Sequence, residues 1–235
     1  MNLKLKAVLA LAALAFGPFM IGTPASAANI VVGAPATGQI YIPFGSIAGY
    51  PEYQQVYASS DFPGRVTIYD LEFYTVPGSG TGNPNPGTFT ISLSATSAPV
   101  NGLSTNLSQN IGSPNTTVYD AVLPAVQNGV LTIPLSTPFT YDPAGGKNLL
   151  IDIFASTPYT GGPGFEFNGA SGDVFSRGFS GQTIPVANDS GLVTGFTTVP
   201  EPSTWALTIL GLGLVGLGFA GYRKSKRRLV GQSVA

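Results

Sequence analysis

The chain has no cysteine and no histidine among its 235 residues. Without thiols there are no disulfide staples and no thiolate nucleophile. Without imidazoles there is no Ser-His-Asp triad, no usual general base near neutral pH, and none of the commonest transition-metal ligand. Charge is scarce as well, with Asp, Glu, Lys and Arg making up 9% of residues. The net charge of −1 conceals a segregation. Seven of the ten cations lie in the two terminal segments: Lys4, Lys6, Arg223, Lys224, Lys226, Arg227 and Arg228. Residues 28–199 keep Arg65, Lys147 and Arg177 against ten carboxylates, a net charge of −7. A body this acidic does not bind nucleic acid by neutralising phosphates. It stays soluble and repels anionic surfaces at low salt.

The body also lacks any convincing amphipathic helix. What it has is period-two alternation between turn clusters, and this predicts an all-β fold. Phe89, Ile91 and Leu93 alternate with polar residues, as do Leu131, Ile133 and Leu135. Asn148 to Phe154 is almost continuously apolar, which suits a central strand covered on both faces. Arg65 to Thr75 reads as a long strand whose phase slips: Val66 and Ile68 share one face, Leu71 and Phe73 the other. A bulge near Tyr69-Asp70 would restore one buried face. Further strands are expected at Gln39–Phe44, Tyr53–Ala58, Thr116–Val122 and Asp173–Phe179. Gly/Pro runs such as residues 77–87 separate them. Many short strands with such turns predict a single β-sandwich, jelly-roll-like, over residues 28–179. The Gly/Thr/Val-rich residues 180–199 read as a linker or stalk. The body is large enough to bury a core of its own.

The two ends carry membrane-type signals. Lys4 and Lys6 precede an apolar stretch that Gly17-Pro18 breaks, and Ala25-Ser26-Ala27 offers a small-x-small cleavage site. Residues 1–27 are therefore expected to be a signal peptide, with signal peptidase leaving Ala28 as the mature amino terminus. Trp205 to Tyr222 is 18 residues without charge. As a helix it would span roughly 27 Å, close to the thickness of a bilayer's hydrocarbon core. Arg223, Lys224, Lys226, Arg227 and Arg228 follow at once and act as a membrane stop held on the cytoplasmic side. A buried core helix would not end in five adjacent cations. Pro200-Glu201-Pro202 then lies outside the cytoplasm. Its two prolines favour an extended backbone that holds one carboxylate stiffly beside the bilayer.

Val199-Pro200-Glu201-Pro202-Ser203-Thr204-Trp205, the Gly-rich apolar run and the basic end together resemble the PEP-CTERM sorting signal. The resemblance covers residues 200–228. It implies that Pro200, Glu201 and Pro202 are recognised by exosortase, a membrane-embedded processing enzyme. It also implies export to the envelope, the cell surface or the secreted matrix of a Gram-negative bacterium that makes extracellular polysaccharide. The body itself is similar to exported domains that accompany such tails. Tyr53-Gln54-Gln55-Val56-Tyr57 with Asp61-Phe62, Asn148 to Ile153, and Ser176-Arg177-Gly178 carry this similarity. It implies a sandwich and assigns no activity.

Few residues in the body suggest chemistry. Asp70 and Glu72 are two apart on a strand and share a face, as a glycosidase pair or a Ca²⁺ site would require. A solvated strand surface explains them more simply. Asp142, Asp152, Glu166 and Asp173 are scattered and lack Ca-loop spacing, so no metal or other cofactor is expected. Tyr53, Tyr57, Tyr69 and Tyr74 offer faces for sugar stacking, although tyrosine is also a preferred strand residue. Asp173 and Arg177 suggest a surface ion pair. Three functions follow. A structural or adhesive protein of an exopolysaccharide matrix or biofilm comes first, and a carbohydrate-binding module is the alternative. A glycoside hydrolase using Asp70 and Glu72 comes last, so no enzyme is expected. The expected partners are exosortase, signal peptidase with the secretion machinery, the membrane and, as a candidate, extracellular polysaccharide.

Overall fold

The computed structural model describes residues 27–33, 38–45, 51–76, 84–157, 162, 164–168, 175–180, 186–188 and 190–200. The signal peptide and the sorting tail beyond Pro200 lie outside these residues, as do Asp173 and Glu201.

Thirteen strands form among the described residues. They are β1 (Ala28–Val32), β2 (Gly38–Ile40), β3 (Glu52–Tyr57), β4 (Val66–Tyr74), β5 (Thr88–Thr96), β6 (Asn115–Val122) and β7 (Val130–Tyr141). After them come β8 (Asn148–Ala155), β9 (Phe165–Asn168), β10 (Phe175–Phe179), β11 (Val186–Asn188), β12 (Gly191–Leu192) and β13 (Thr194–Pro200). Among the described residues, helix is confined to three short 3-10 turns. One sheet has the order β1-β13-β4-β7, and a second the order β11-β10-β3-β8-β5-β6. A small third sheet, β12-β9-β2, adjoins them. Every pairing is antiparallel.

Four of these pairings are nested. β1 pairs with β13, β3 with β8, β4 with β7, and β5 with β6. A ribbon folded back on itself and wrapped around a core gives this order, which is that of a jelly roll. β2 and β9 to β12 are additions to it.

The core lies between the two large sheets. Phe89, Ile91 and Leu93 from β5 and Leu149, Ile151 and Ile153 from β8 meet Ile68, Leu71, Phe73, Leu131 and Ile133. As the apolar run of residues 148–154 predicts, β8 is central, bonded to β3 on one side and β5 on the other. The phase slip in β4 is a bulge: the register shifts between Ile68 and Asp70 against β7 and at the matching place against β13. Tyr69 is pushed out to 42% exposure, and Val66, Ile68, Leu71 and Phe73 all face inward. Aromatic rings close both ends of the core. Phe44 packs on Phe73, Phe89 and Phe165 at one end. At the other, Phe62 packs on Tyr141 and Phe196.

The described part of residues 180–199 is largely strand rather than linker, and the sandwich does not stop at residue 179. Thr194–Pro200 is an inner strand of the first sheet, bonded to β1 and to β4. Thr194, Phe196 and Thr198 turn inward and are fully buried. Glycine and threonine give this segment the composition of a stalk. The threonine hydroxyls, however, find acceptors at Leu192 O and Ala28 O, which makes their burial tolerable. The strand expected over residues 39–44 is also shorter. It ends at Ile40, and Ile42–Gly45 forms a turn closed by a Gly45 N–H bond to Tyr41 O.

Phe196 is the largest apolar side chain that β13 contributes, so Phe196→Ala is expected to destabilise the exported protein by about 3–5 kcal/mol. Urea denaturation followed by tyrosine fluorescence measures this. A loss below about 1 kcal/mol would mean that the segment is dispensable, as a stalk would be.

Candidate functional site

Two regions carry the residues singled out in the sequence. The first is the end of the sandwich from which both chain termini leave. In the β1–β13 ladder Ala28 lies opposite Thr198, and Thr198 Oγ1 donates to Ala28 O at 3.2 Å. In the β13–β4 ladder Pro200 lies opposite Val66. The expected cleavage junction after Ala27 and the first residue of the Pro-Glu-Pro tripeptide therefore sit side by side. No stalk separates the tripeptide from the folded body.

Residues 198–224 match the PEP-CTERM protein-sorting motif. The chain carries this motif. It marks an exported protein that exosortase, a membrane protein, processes, with membrane-anchored sorting toward the cell surface. The motif begins inside the sheet, since Thr198, Val199 and Pro200 belong to β13. Glu201, Pro202, the apolar run of residues 205–222 and the membrane stop at Arg223, Lys224, Lys226, Arg227 and Arg228 lie outside the described residues. Ala25 does too. Among the described residues no helix is long and apolar enough to cross a membrane.

No curated protein matches the chain. A solved structure of the cysteine protease and lectin-like domains of Cwp84, a surface layer associated protein of Clostridium difficile, is similar at 8% identity and TM-score 0.36. That match covers 64% of this chain and 33% of the other, so the chain spans about a third of the structure it resembles. The structure of infectious bursal disease virus Gx strain is similar at 10% identity and TM-score 0.27, over 79% of this chain and 43% of the other.

The second region is the outer face of the β1-β13-β4-β7 sheet. The bulge in β4 puts Asp70, Glu72 and Tyr74 on this face, opposite Leu71 and Phe73. As expected, the two carboxylates share a face. Glu72 is heavily engaged: Asn29 Nδ2 donates to Oε2 at 2.8 Å, Tyr74 OH to Oε2 at 3.0 Å and Thr197 Oγ1 to Oε1 at 3.4 Å. Gly195 leaves the dip into which these groups fold, because a Cβ there would stand 2.5 Å from the Tyr74 hydroxyl and 3.0 Å from Glu72 Oε2. Partial burial pushes the Asp70 carboxyl above the usual range. The neighbouring Glu72 charge adds to this, and a hydrogen bond from Thr197 opposes it.

Among the described residues, the remaining expected side chains are not brought together. Among the described residues, no three acidic side chains gather where a metal ion could be held. Asp152 lies on the outer face of the other sheet and accepts from Gln54 Nε2 at 3.2 Å. Asp142 caps a 3-10 turn by accepting from Ala144 N–H. Tyr53 and Tyr57 are buried, so neither can stack on a sugar, whereas Tyr69 is exposed. Arg177 is not on the surface but in the core. It lies opposite Gln55 in the β10–β3 ladder, with its guanidinium 5.4 Å from the Phe179 ring centroid.

Arg177 belongs to a buried polar seam that the sequence did not reveal. Gln55 Nε2 donates to the Tyr57 hydroxyl and to Leu192 O, both at 2.8 Å. Its Oε1 accepts from Tyr53 OH and from Leu192 N–H. Tyr57 OH meets Thr194 Oγ1 at 2.7 Å. Burial pushes the Tyr53 hydroxyl up to about 12, partly offset by the Arg177 charge. Burial also lowers the Arg177 pKa, which Tyr53 opposes. The seam is closed to solvent and ties β3 to the segment leading into β13.

Burial governs the acidic groups. Glu52, Asp61, Asp70 and Asp152 all sit above their ordinary range, and desolvation is the largest cause for each. Asp61 is raised to about 6. Its Oδ2 is buried with no hydrogen-bond partner, which disfavours the charged form. Between about pH 4 and pH 6 the folded protein therefore binds more protons than the unfolded chain. Stability from these groups is full at the acid side of that window and is lost as the pH rises through it. The midpoint of thermal unfolding is expected to be higher at pH 5 than at pH 7, and Asp61→Asn to flatten the difference. A midpoint that falls on acidification from pH 7 to pH 5 contradicts this.

Proposed function

We propose that the folded body is a non-enzymatic surface protein, structural or adhesive, delivered to the exopolysaccharide matrix or biofilm of a Gram-negative bacterium. The observation that carries this is the sorting motif at residues 198–224, continuous with the last strand of an acidic sandwich. Signal peptidase would act between Ala27 and Ala28. The apolar run would hold the precursor in the membrane, with the basic cluster inside. Pro200, Glu201 and Pro202 would then be the residues that exosortase recognises. The lack of histidine and cysteine supports a non-catalytic role.

Replacing Pro200, Glu201 and Pro202 by alanine is expected to leave the chain in the membrane fraction at its unprocessed size. Immunoblotting of fractionated cells measures this. Wild-type processing of that variant would remove the role given to the tripeptide. Deleting residues 201–228, which spares the Pro200–Val66 rung, is expected to release a soluble exported body. Its retention in the membrane would contradict the anchoring role.

A second reading, carbohydrate binding, is favoured by one feature. The outer face of the first sheet presents amide, hydroxyl, phenol and carboxylate groups from Asn29, Thr197, Tyr74, Glu72 and Asp70, beside the exposed Tyr69 ring. Such groups suit the hydroxyls and apolar faces of sugar rings. Tyr69→Ala combined with Glu72→Gln is expected to weaken co-sedimentation with the organism's own polysaccharide about tenfold, or about 1.4 kcal/mol. Unchanged co-sedimentation excludes this face as the binding surface.

A further inference from the structure

The register of β1, β13 and β4 decides where the chain leaves the fold. Ala28 pairs with Thr198 and Pro200 with Val66, so the amino-terminal end of β1 and the carboxy-terminal end of β13 share one end of the sandwich. The apolar run expected to sit in the membrane follows almost at once on the carboxy-terminal side. Four residues, 201–204, separate β13 from the apolar run that begins at Trp205. Fully stretched, the chain from Pro200 to Trp205 reaches at most about 18 Å. The nine residues of β4 run about 30 Å from this end toward the other. The tether is thus shorter than the body it holds.

We infer that the precursor stands end-on against the membrane, its Ala28/Pro200 end facing the lipid headgroups and the Pro-Glu-Pro tripeptide displayed in the narrow gap between sheet and bilayer. This rests on the sorting and anchoring reading above. It adds that the sorting enzyme meets the tripeptide together with the connectors at residues 59–65 and 142–147.

The absence of cysteine makes the test direct. Gly145→Cys places a single thiol in the lower connector, where an added Cβ meets nothing within 4 Å. Val122→Cys places one at the opposite end, at a site 57% exposed. Each full-length variant is labelled with a donor dye and reconstituted into phosphatidylethanolamine/phosphatidylglycerol vesicles that carry an acceptor on the lipid headgroup. Several-fold greater energy transfer from position 145 than from position 122 is the expected result. Equal transfer from the two positions in chain that floats with the vesicles would overturn the end-on arrangement and leave the anchoring intact. Chain that does not float with the vesicles would overturn the anchoring, and the end-on arrangement with it.

Discussion

The structure depends on the last strand of the sandwich lying between the first strand and β4. β13 satisfies two ladders at once, with β1 and with β4, and places Phe196 against Phe62 and Tyr57 in the core. Without it β1 would have no neighbour in the sheet and one edge of β4 would be open to water. An inner strand has both rows of backbone donors and acceptors paired, so its removal leaves two edges unsatisfied. The same strand opens the sorting motif. The residues that complete the fold and those that address the protein to the surface form one continuous segment.

The buried polar seam makes that placement specific. All the hydrogen-bonding capacity of the Gln55 amide is used, and two of its partners are the backbone groups of Leu192, just ahead of β13. A one-residue slip in this segment would strand several buried polar groups, each worth about 1–3 kcal/mol. Apolar packing supplies most of the driving force, and the seam selects the register. A second polar cluster, Gln54 with Asn110 and the carbonyl of Leu107, pins the connector over the other side of β3. There Gly112 lies so close to β5 that an added Cβ would fall 2.1 Å from the Ala95 carbonyl oxygen.

The strands with apolar alternation were legible in the sequence, because alternate burial is what alternate chemistry encodes. β5 and β8 follow from their apolar residues. So does the bulge at Tyr69, since two inward pairs out of phase on one strand leave few other solutions. β13 was hidden because two of its three inward residues are threonines, and threonine is equally at home on a surface. Only the acceptors on Leu192 and Ala28 show why those hydroxyls are buried, and these come from the fold. The burial of Gln55 and Arg177 was hidden for the same reason, and Arg177 was read as a surface partner of Asp173: an isolated polar residue in a strand reads as exposed until its partners, far away in sequence, are known. The site at the sandwich end was half legible. The tripeptide and the cleavage junction each stand out in the chain, but their adjacency is a property of the β1–β13 register.

The hydrogen bond from Thr198 to Ala28 joins residues 170 apart in the chain. During vectorial export the strand that emerges first must wait for the one that emerges last. Contacts this distant form late, after every intervening loop has been closed. Throughout translocation the half-built sheet shows bare strand edges, the surfaces most prone to sticking to a neighbouring chain. The compartment that receives this protein therefore has to shield it until the strand ending at Pro200 has left the channel.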